Sequence, residues 1–179
     1  QSETVKEKGY GILYLTDDVD EFVVNILGSF MEKEFKNIND KDLGLSSEEE
    51  KQEAERKEEE NKALLDFVKE ALGEEVEFVR LSGKLKSHPV CLSSEGELSV
   101  EMEKVLKRMP GAEGAPEAKI VLEINHSHPI TEKLFTLFAT DKDTLAKYAK
   151  ILYSAACLIG GVSIENPGEF AELISSLMI

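Results

Sequence analysis

The spacing of apolar residues switches between a strand period and a helix period along this chain, and each switch marks an element. Tyr10-Gly-Ile-Leu-Tyr-Leu15 is a short apolar run and predicts a buried strand. Val19, Phe22, Val23, Ile26, Leu27 and Phe30 then keep helical spacing, behind Asp18 and Glu21, which are placed as a capping box. Phe35–Ile38 reads as a returning strand. Residues 1–45 therefore predict a small β-α-β unit, too short to hold a core alone. It reads as the end of a domain whose body lies upstream.

From Ala63 a new amphipathic pattern runs through Leu64, Phe67, Val68, Ala71 and Leu72 until Gly73 stops it. Val76–Leu81 and Val90–Leu92 read as strands, separated by Ser82-Gly83 and broken at Pro89. A helix follows from Glu97 to Met109, closed by Pro110-Gly111, and Lys119–Ile124 (KIVLEI) is another strand. The remainder is helical, over Ile130–Thr140, Asp143–Ile159 and, after Gly160-Gly161, Pro167–Met178. In the last helix Asn166 is the N-cap, Pro167 takes the first helical position and Glu169 completes a capping box. The whole predicts an α+β fold: a β-α-β unit, a long connecting helix, then a mixed sheet with helices that end in a hairpin.

Three helical stripes raise the question of what covers them. Leu98, Met102, Val105, Leu106 and Met109 share one side of their helix, the other sides being charged. This stripe is either ordinary core or an adaptable methionine surface for varied partners. Leu145, Tyr148, Leu152, Ala155 and Ile159 follow the 3-4 spacing of a bundle seam, and Phe170, Leu173, Ile174 and Leu177 stripe the last helix. Ala155 and Ala156 permit close helix approach. Burying four such side chains is worth roughly 6–12 kcal/mol gross. Packing onto the preceding strands is one way to cover them. Twofold pairing of two hairpins into a four-helix bundle is the other, and the one we expect.

Charge changes part of this picture. The chain has 179 residues, 36 acidic against 21 basic, for a net charge of −15. That balance excludes a nucleic-acid partner, which needs clustered Lys and Arg. Twelve of the fifteen residues from Glu48 to Lys62 are charged, eight of them acidic. The run is either a solvated linker or the polar first half of the connecting helix, capped by Ser46 or Ser47, with Glu48–Glu50 at its positive end and Glu53–Lys57 paired. The helix is the stronger reading. The longest apolar run, Ile151–Ile159, is too short for a membrane span, so no membrane partner is expected. The N-terminus has no initiator Met and no signal-peptide pattern and reads as a cut fragment. Two cysteines, Cys91 and Cys157, make no disulfide framework, which fits a reducing, cytoplasmic setting.

No catalytic constellation emerges. His126-Ser127-His128 with Cys91 or Cys157 lacks zinc-site spacing. Ser82-Gly83-Lys84 is not a phosphate loop, because Phe78 stands where its first Gly belongs. Nothing around Cys91 suggests an activated thiol. We expect no catalytic, cofactor or metal site.

Several blocks together resemble the heat-shock protein 90 chaperones. GYGILYLTDDVDEFVV (Gly9–Val24) is similar to the end of that family's middle domain, and LLDFVKEALGEEVEFVRLSGKL (Leu64–Leu85) to the entry of its C-terminal domain. Ser87–Val90 lies where the family has Ser-Pro or a close variant. VEMEKVLKR (Val100–Arg108) resembles its methionine helix, and LEINHSHPI (Leu122–Ile130) its Leu-Glu-Ile-Asn-Pro-x-His-Pro signature. The blocks keep the family's order over nearly the whole chain. Lys84 stands for a frequent Arg, His126 for the usual Pro, and Glu97-Leu98 for a common Trp-Ser. The chain closes on Leu177-Met178-Ile179, without the acidic Met-Glu-Glu-Val-Asp tail of eukaryotic cytosolic members. The resemblance thus points to a bacterial, HtpG-type member, an organellar one being the other reading, with no docking of tetratricopeptide co-chaperones.

The resemblance implies a middle-domain end at 1–45 and a C-terminal dimerisation domain at 46–179. It implies a homodimer through the terminal hairpin and contact of partly unfolded client proteins with Leu98, Met102, Val105, Leu106 and Met109. ATP and Mg would belong to the full-length chaperone, an ATPase, and not to this fragment. A stand-alone dimerisation scaffold is the competing reading. An enzyme using Cys91 and the two histidines is a more distant third.

Overall fold

The computed structural model describes residues 2–17, 19–38, 56–83, 85–96, 98–109 and 116–178. Its elements are α1 (Ser2–Glu7), α2 (Asp20–Leu27), β1 (Ser29–Phe30), β2 (Lys33–Glu34), α3 (Lys62–Leu72), β3 (Phe78–Ser82), β4 (Val90–Glu95), α4 (Val100–Arg108), β5 (Lys119–Asn125), α5 (Pro129–Thr140), α6 (Lys142–Ile159) and α7 (Pro167–Leu177). They fall into two compact units, Gln1–Ser46 with Ser93–Ile120, and Ser47–Leu92 with Val121–Ile179.

In the first unit, α2 begins where the Asp20 carboxylate accepts hydrogen bonds from the Thr16 and Asp17 amides, at 2.9 and 3.0 Å. The Asp17 and Thr16 amides hold that carboxyl below its ordinary value of 3.8. Asp18, expected as the cap, lies outside the described residues. Gly28, at φ 66°, ends the helix, its N–H reaching Val24 O at 2.9 Å. A two-residue hairpin follows, pairing Ser29 with Glu34 and Phe30 with Lys33. Its tip, Met31-Glu32, has φ of 48° and 62°. Both tip residues therefore take the left-handed conformation that hairpin turns of this type require and that Asn-Gly usually supplies.

The expected β-α-β unit is not what forms. Tyr10–Leu15 is in no strand and is largely exposed, Tyr14 at 65%. A strand exists only through its hydrogen-bonded neighbour, and no described strand lies beside this run. Phe35–Ile38 is likewise irregular; Phe35 N–H only extends the hairpin to Gly28 O at 3.1 Å. Among the described residues of this unit, only Ser93, Ser99 and Val100 are buried.

The core sits in the second unit. Residues 56–60 are helical, with Arg56 and Glu60 paired at 3.6 Å one turn apart. At Asn61 the helix breaks, and its side chain donates to Lys57 O at 2.6 Å. The expected caps at Ser46 or Ser47, the acidic turn Glu48–Glu50 and the Glu53–Lys57 pair involve residues outside those described. Beyond the break α3 buries Leu64, Leu65, Val68 and Leu72 and stops at Gly73, φ 62°. Strands are ordered β3-β5-β4. β3 and β5 run parallel, Phe78 beside Val121 through Ser82 beside Asn125. Asn125 N–H donates to Pro89 O at 2.8 Å, setting the end of β5 beside the start of β4, so the sheet is mixed. Val121 to Asn125 are all buried, as expected of a central strand covered on both faces.

Helix α3 packs on β3, α5 and α6, and α6 also packs on α5 and α7. Where α3, α5 and α6 meet, the rings of Phe67 and Phe138 lie edge to face at 6.0 Å, with Lys142 Nζ at 5.4 and 4.8 Å from their centres. The two rings offset the poor placement of a cation in the first turn of α6. Asp141 caps that helix, accepting from Thr144 N and Oγ1 at 3.0 and 2.7 Å. The Thr144 amide and hydroxyl hold the Asp141 carboxyl below 3.8. A depressed native pKa means that the cap's contribution is complete above 3.8 and fades as pH falls through the native value. The stability difference between wild type and Asp141→Asn, read from urea midpoints, is therefore expected to shrink below pH 3.8. A difference unchanged from neutral pH into the acid range would contradict this.

Candidate interaction surfaces

The buried polar groups are structural. Arg80 and Glu123 face one another across the β3–β5 register, with Arg80 Nε 3.2 Å from Glu123 Oε1 and Nη2 on the same oxygen. The Glu123 side chain is 1% exposed. Cys91 Sγ lies 4.0 Å from the other carboxylate oxygen, and Cys157 is buried; neither forms a disulfide. Asn125 ties three segments together. Its side chain donates to Lys86 O and His88 O at 3.2 and 3.0 Å and accepts from Ser127 N at 3.0 Å, while its carbonyl accepts from Thr131 Oγ1 at 2.6 Å. His128 caps α5, Nδ1 accepting from Ile130 N at 3.1 Å. The block Leu122–Ile130 thus works as a strand end and a helix start.

No group of three His, Cys, Asp or Glu side chains among the described residues could hold a metal ion. An added Cβ at Gly83 would meet His126 Nε2 at 3.4 Å, so the His126 ring packs against that turn.

The first apolar surface is α4, in the first unit. Ser99 caps it by accepting from Met102 N at 3.0 Å and donates its hydroxyl to Glu21 Oε2 at 2.6 Å. Met109, in extended conformation ahead of Pro110, ends it; Pro110-Gly111 itself lies outside the described residues. Leu98, Met102, Val105 and Leu106 are half-buried, and Met109 is 48% exposed. Asn25 Nδ2 lies 3.5 Å from Met102 Sδ. Glu103, on the same helix, accepts from Ala118 N at 2.8 Å and pairs with Lys107. Partial burial pushes its carboxyl up, but the bonds from Lys107 and Ala118 outweigh that and hold it below its ordinary 4.5.

The second surface is the hairpin of α6 and α7. Of the seam residues on α6, Leu145, Leu152 and Ala156 are buried within the unit, Tyr148 and Ala155 are half-buried, and Ile159 is 48% exposed. On α7, Phe170, Leu173, Ile174 and Leu177 are half-buried, and no residue of that helix is fully buried. Asn166 caps α7 through Glu169 N at 3.0 Å, and Lys150 Nζ reaches Glu169 Oε1 at 2.7 Å, pinning α7 to α6. The surface half of the stripe is thus intact, while the buried half already serves the core.

No helix among the described residues is long and apolar enough to cross a membrane. The family model described as Hsp90 protein matches residues 1–179. Among curated proteins, the chain is 53% identical over 178 residues to "Chaperone protein HtpG" of Clostridium acetobutylicum, covering 99% of this chain and 28% of that protein. It is 48% identical over 178 residues, with the same coverage, to the protein of that name in Clostridium perfringens, strain 13. To that of Bacillus subtilis it is 43% identical over 179 residues, covering 100% of this chain and 28% of the relative. The chain therefore spans 28% of the length of these relatives.

Proposed function

The chain belongs to the Hsp90 protein family, and from that premise we propose that it is the C-terminal part of a bacterial, ATP-dependent molecular chaperone working in the cytoplasm. Residues 46–179 are its dimerisation domain and residues 1–45 the end of its middle domain. The exposed apolar side chains between Tyr10 and Met31 support the second assignment, since they suit a surface completed by other parts of a longer chain. ATP and Mg act elsewhere in that chain, and the present segment hydrolyses nothing by itself. A stand-alone scaffold is disfavoured by the chaperone names of the relatives.

The observation that carries the reading is α7, an amphipathic helix with a full apolar stripe and no fully buried residue. Two copies related by a twofold axis cover one another's stripes, Tyr148, Ala155 and Ile159 of α6 joining Phe170, Leu173, Ile174 and Leu177 in a four-helix bundle. Dimerisation keeps two ATPase arms tethered, so that their closure is nearly intramolecular.

Client proteins meet the α4 face, with Met102 and Met109 as its adaptable members. Met102→Glu with Met109→Glu is expected to weaken binding of a partly unfolded protein by roughly 10²-fold or more, since each Met contributes about 1.5–3 kcal/mol when covered. Fluorescence anisotropy with a labelled unfolded protein reads this, and sedimentation should show the dimer intact. Unchanged affinity would mean that the stripe is ordinary core.

A further inference from the structure

Among the described side chains of α4 only Val100, in its first turn, is buried. The later turns therefore have little burial to resist a roll of the helix about its own axis. Polar ties along one flank supply that resistance. Ser99, Glu103 and Lys107 stand four residues apart and form one row along the helix. Each member holds a different segment of the first unit. The Ser99 hydroxyl donates to Glu21 Oε2, Glu103 Oε2 accepts from Ala118 N at 2.8 Å, and Lys107 Nζ lies 3.5 Å from Glu117 Oε1. Ala118 is the residue before β5, so the row ties α4 to the chain that returns from it. The row of Leu98, Met102 and Leu106 lies one residue back, about 100° around the helix. A roll by one position would exchange the two rows and break the Glu103–Ala118 bond.

The three ties differ in what they contribute. Lys107 and Glu117 are exposed, and a pair of that kind is worth little. Ser99 is the cap and sits at the start of the helix, where a roll displaces least. Glu103 stands one turn further in, with its side chain only 14% exposed, and its carboxylate takes a backbone amide. Such charge-assisted bonds are roughly twice as strong as neutral ones.

We propose that Glu103 is the positioning residue of α4, its bond to the Ala118 amide fixing the rotation at which Met102, Val105, Leu106 and Met109 are offered to a client. This rests on the assignment of α4 as the client helix. It adds a residue outside the apolar stripe that acts through the stripe and does not touch the client.

Peroxide oxidation of the methionines in the whole chain, followed by mass spectrometry, reads the rotation with no client present. Met109 is exposed and Met102 half-buried, so Met109 should oxidise the faster in the wild type. Glu103→Ala should raise the Met102 rate several-fold. Glu103→Gln keeps an acceptor for Ala118 N and should leave that rate within about two-fold of wild type. In the anisotropy assay Glu103→Ala should lose roughly five-fold in client affinity, as when the competent orientation falls to about a fifth of the population, and Glu103→Gln should lose little. Glu103→Asp keeps the charge but is one methylene short; it should behave as Glu103→Ala and takes its place if the alanine variant does not fold. An unchanged Met102 rate, or equal effects of the alanine and glutamine variants, would overturn the proposal. A raised Met102 rate with unchanged client affinity would support Glu103 as the residue that sets the rotation and would instead remove α4 from client contact.

Discussion

Glu123→Ala is expected to destabilise the second unit by about 3–5 kcal/mol, because it removes the buried carboxylate to which Arg80 Nε and Nη2 donate. The two side chains are neighbours in the β3–β5 register, and Glu123 lies in a stretch of five buried residues. Arg80→Met combined with Glu123→Leu removes both charges while keeping apolar volume, and should recover most of the loss. Urea denaturation of the three variants decides the matter. A cost near zero for Glu123→Ala would mean that the pair is hydrated and that the strand is not the centre of the core.

The second large effect separates two leucines that spacing places on the facing stripes of one hairpin, Leu152 on α6 and Leu173 on α7. Leu173→Glu is expected to give a folded monomer. Leu173 is half-buried on a helix with nothing fully buried, so the single chain loses little. A twofold dimer loses the side chain twice, about 3–6 kcal/mol, or roughly 10²–10⁴ in affinity. Leu152→Glu should behave otherwise. At 7% exposure Leu152 is inside one chain, and a carboxylate there costs about 4 kcal/mol or more, unfolding the unit instead of splitting the dimer. Circular dichroism and sedimentation of both variants read the contrast. A folded monomer from Leu152→Glu would place α6 with its stripe outward.

That contrast shows what the sequence could and could not carry. A 3-4 spacing specifies that a helix has a face, not who covers it. Leu145, Leu152 and Ala156 lie in a unit where α6 packs on α3 and α5 of the same chain, while α7 packs mainly on α6 and keeps its stripe partly open. The helices were legible because their ends carry local chemistry: Asn166 with Pro167 and Glu169 before α7, and Gly73 after α3. The β-α-β expectation failed on the one property that composition does not encode, the presence of a pairing neighbour for Tyr10–Leu15. The hairpin at Met31-Glu32 escaped because its left-handed turn uses neither Gly nor Asn. The Arg80–Glu123 pair also escaped. Its signal was present as opposite charges inside two apolar runs, Arg80 in VEFVRL and Glu123 in KIVLEI.

Partner-dependent surfaces are where a family resemblance adds most, since the blocks from Leu64 to Leu85 and from Leu122 to Ile130 proved to be strand ends, caps and core. Their regularity reflects the fold. The chemistry proposed for the chain rests on α4 and α7, the helices left with partly uncovered stripes.

Sedimentation equilibrium of the unmodified chain at micromolar concentration tests the dimer most directly. The expected result is a single species at twice 19.9 kDa that persists on dilution and is reduced to 19.9 kDa by Leu173→Glu. A wild-type chain sedimenting at 19.9 kDa throughout would contradict the assignment of the α6–α7 hairpin as a dimer interface.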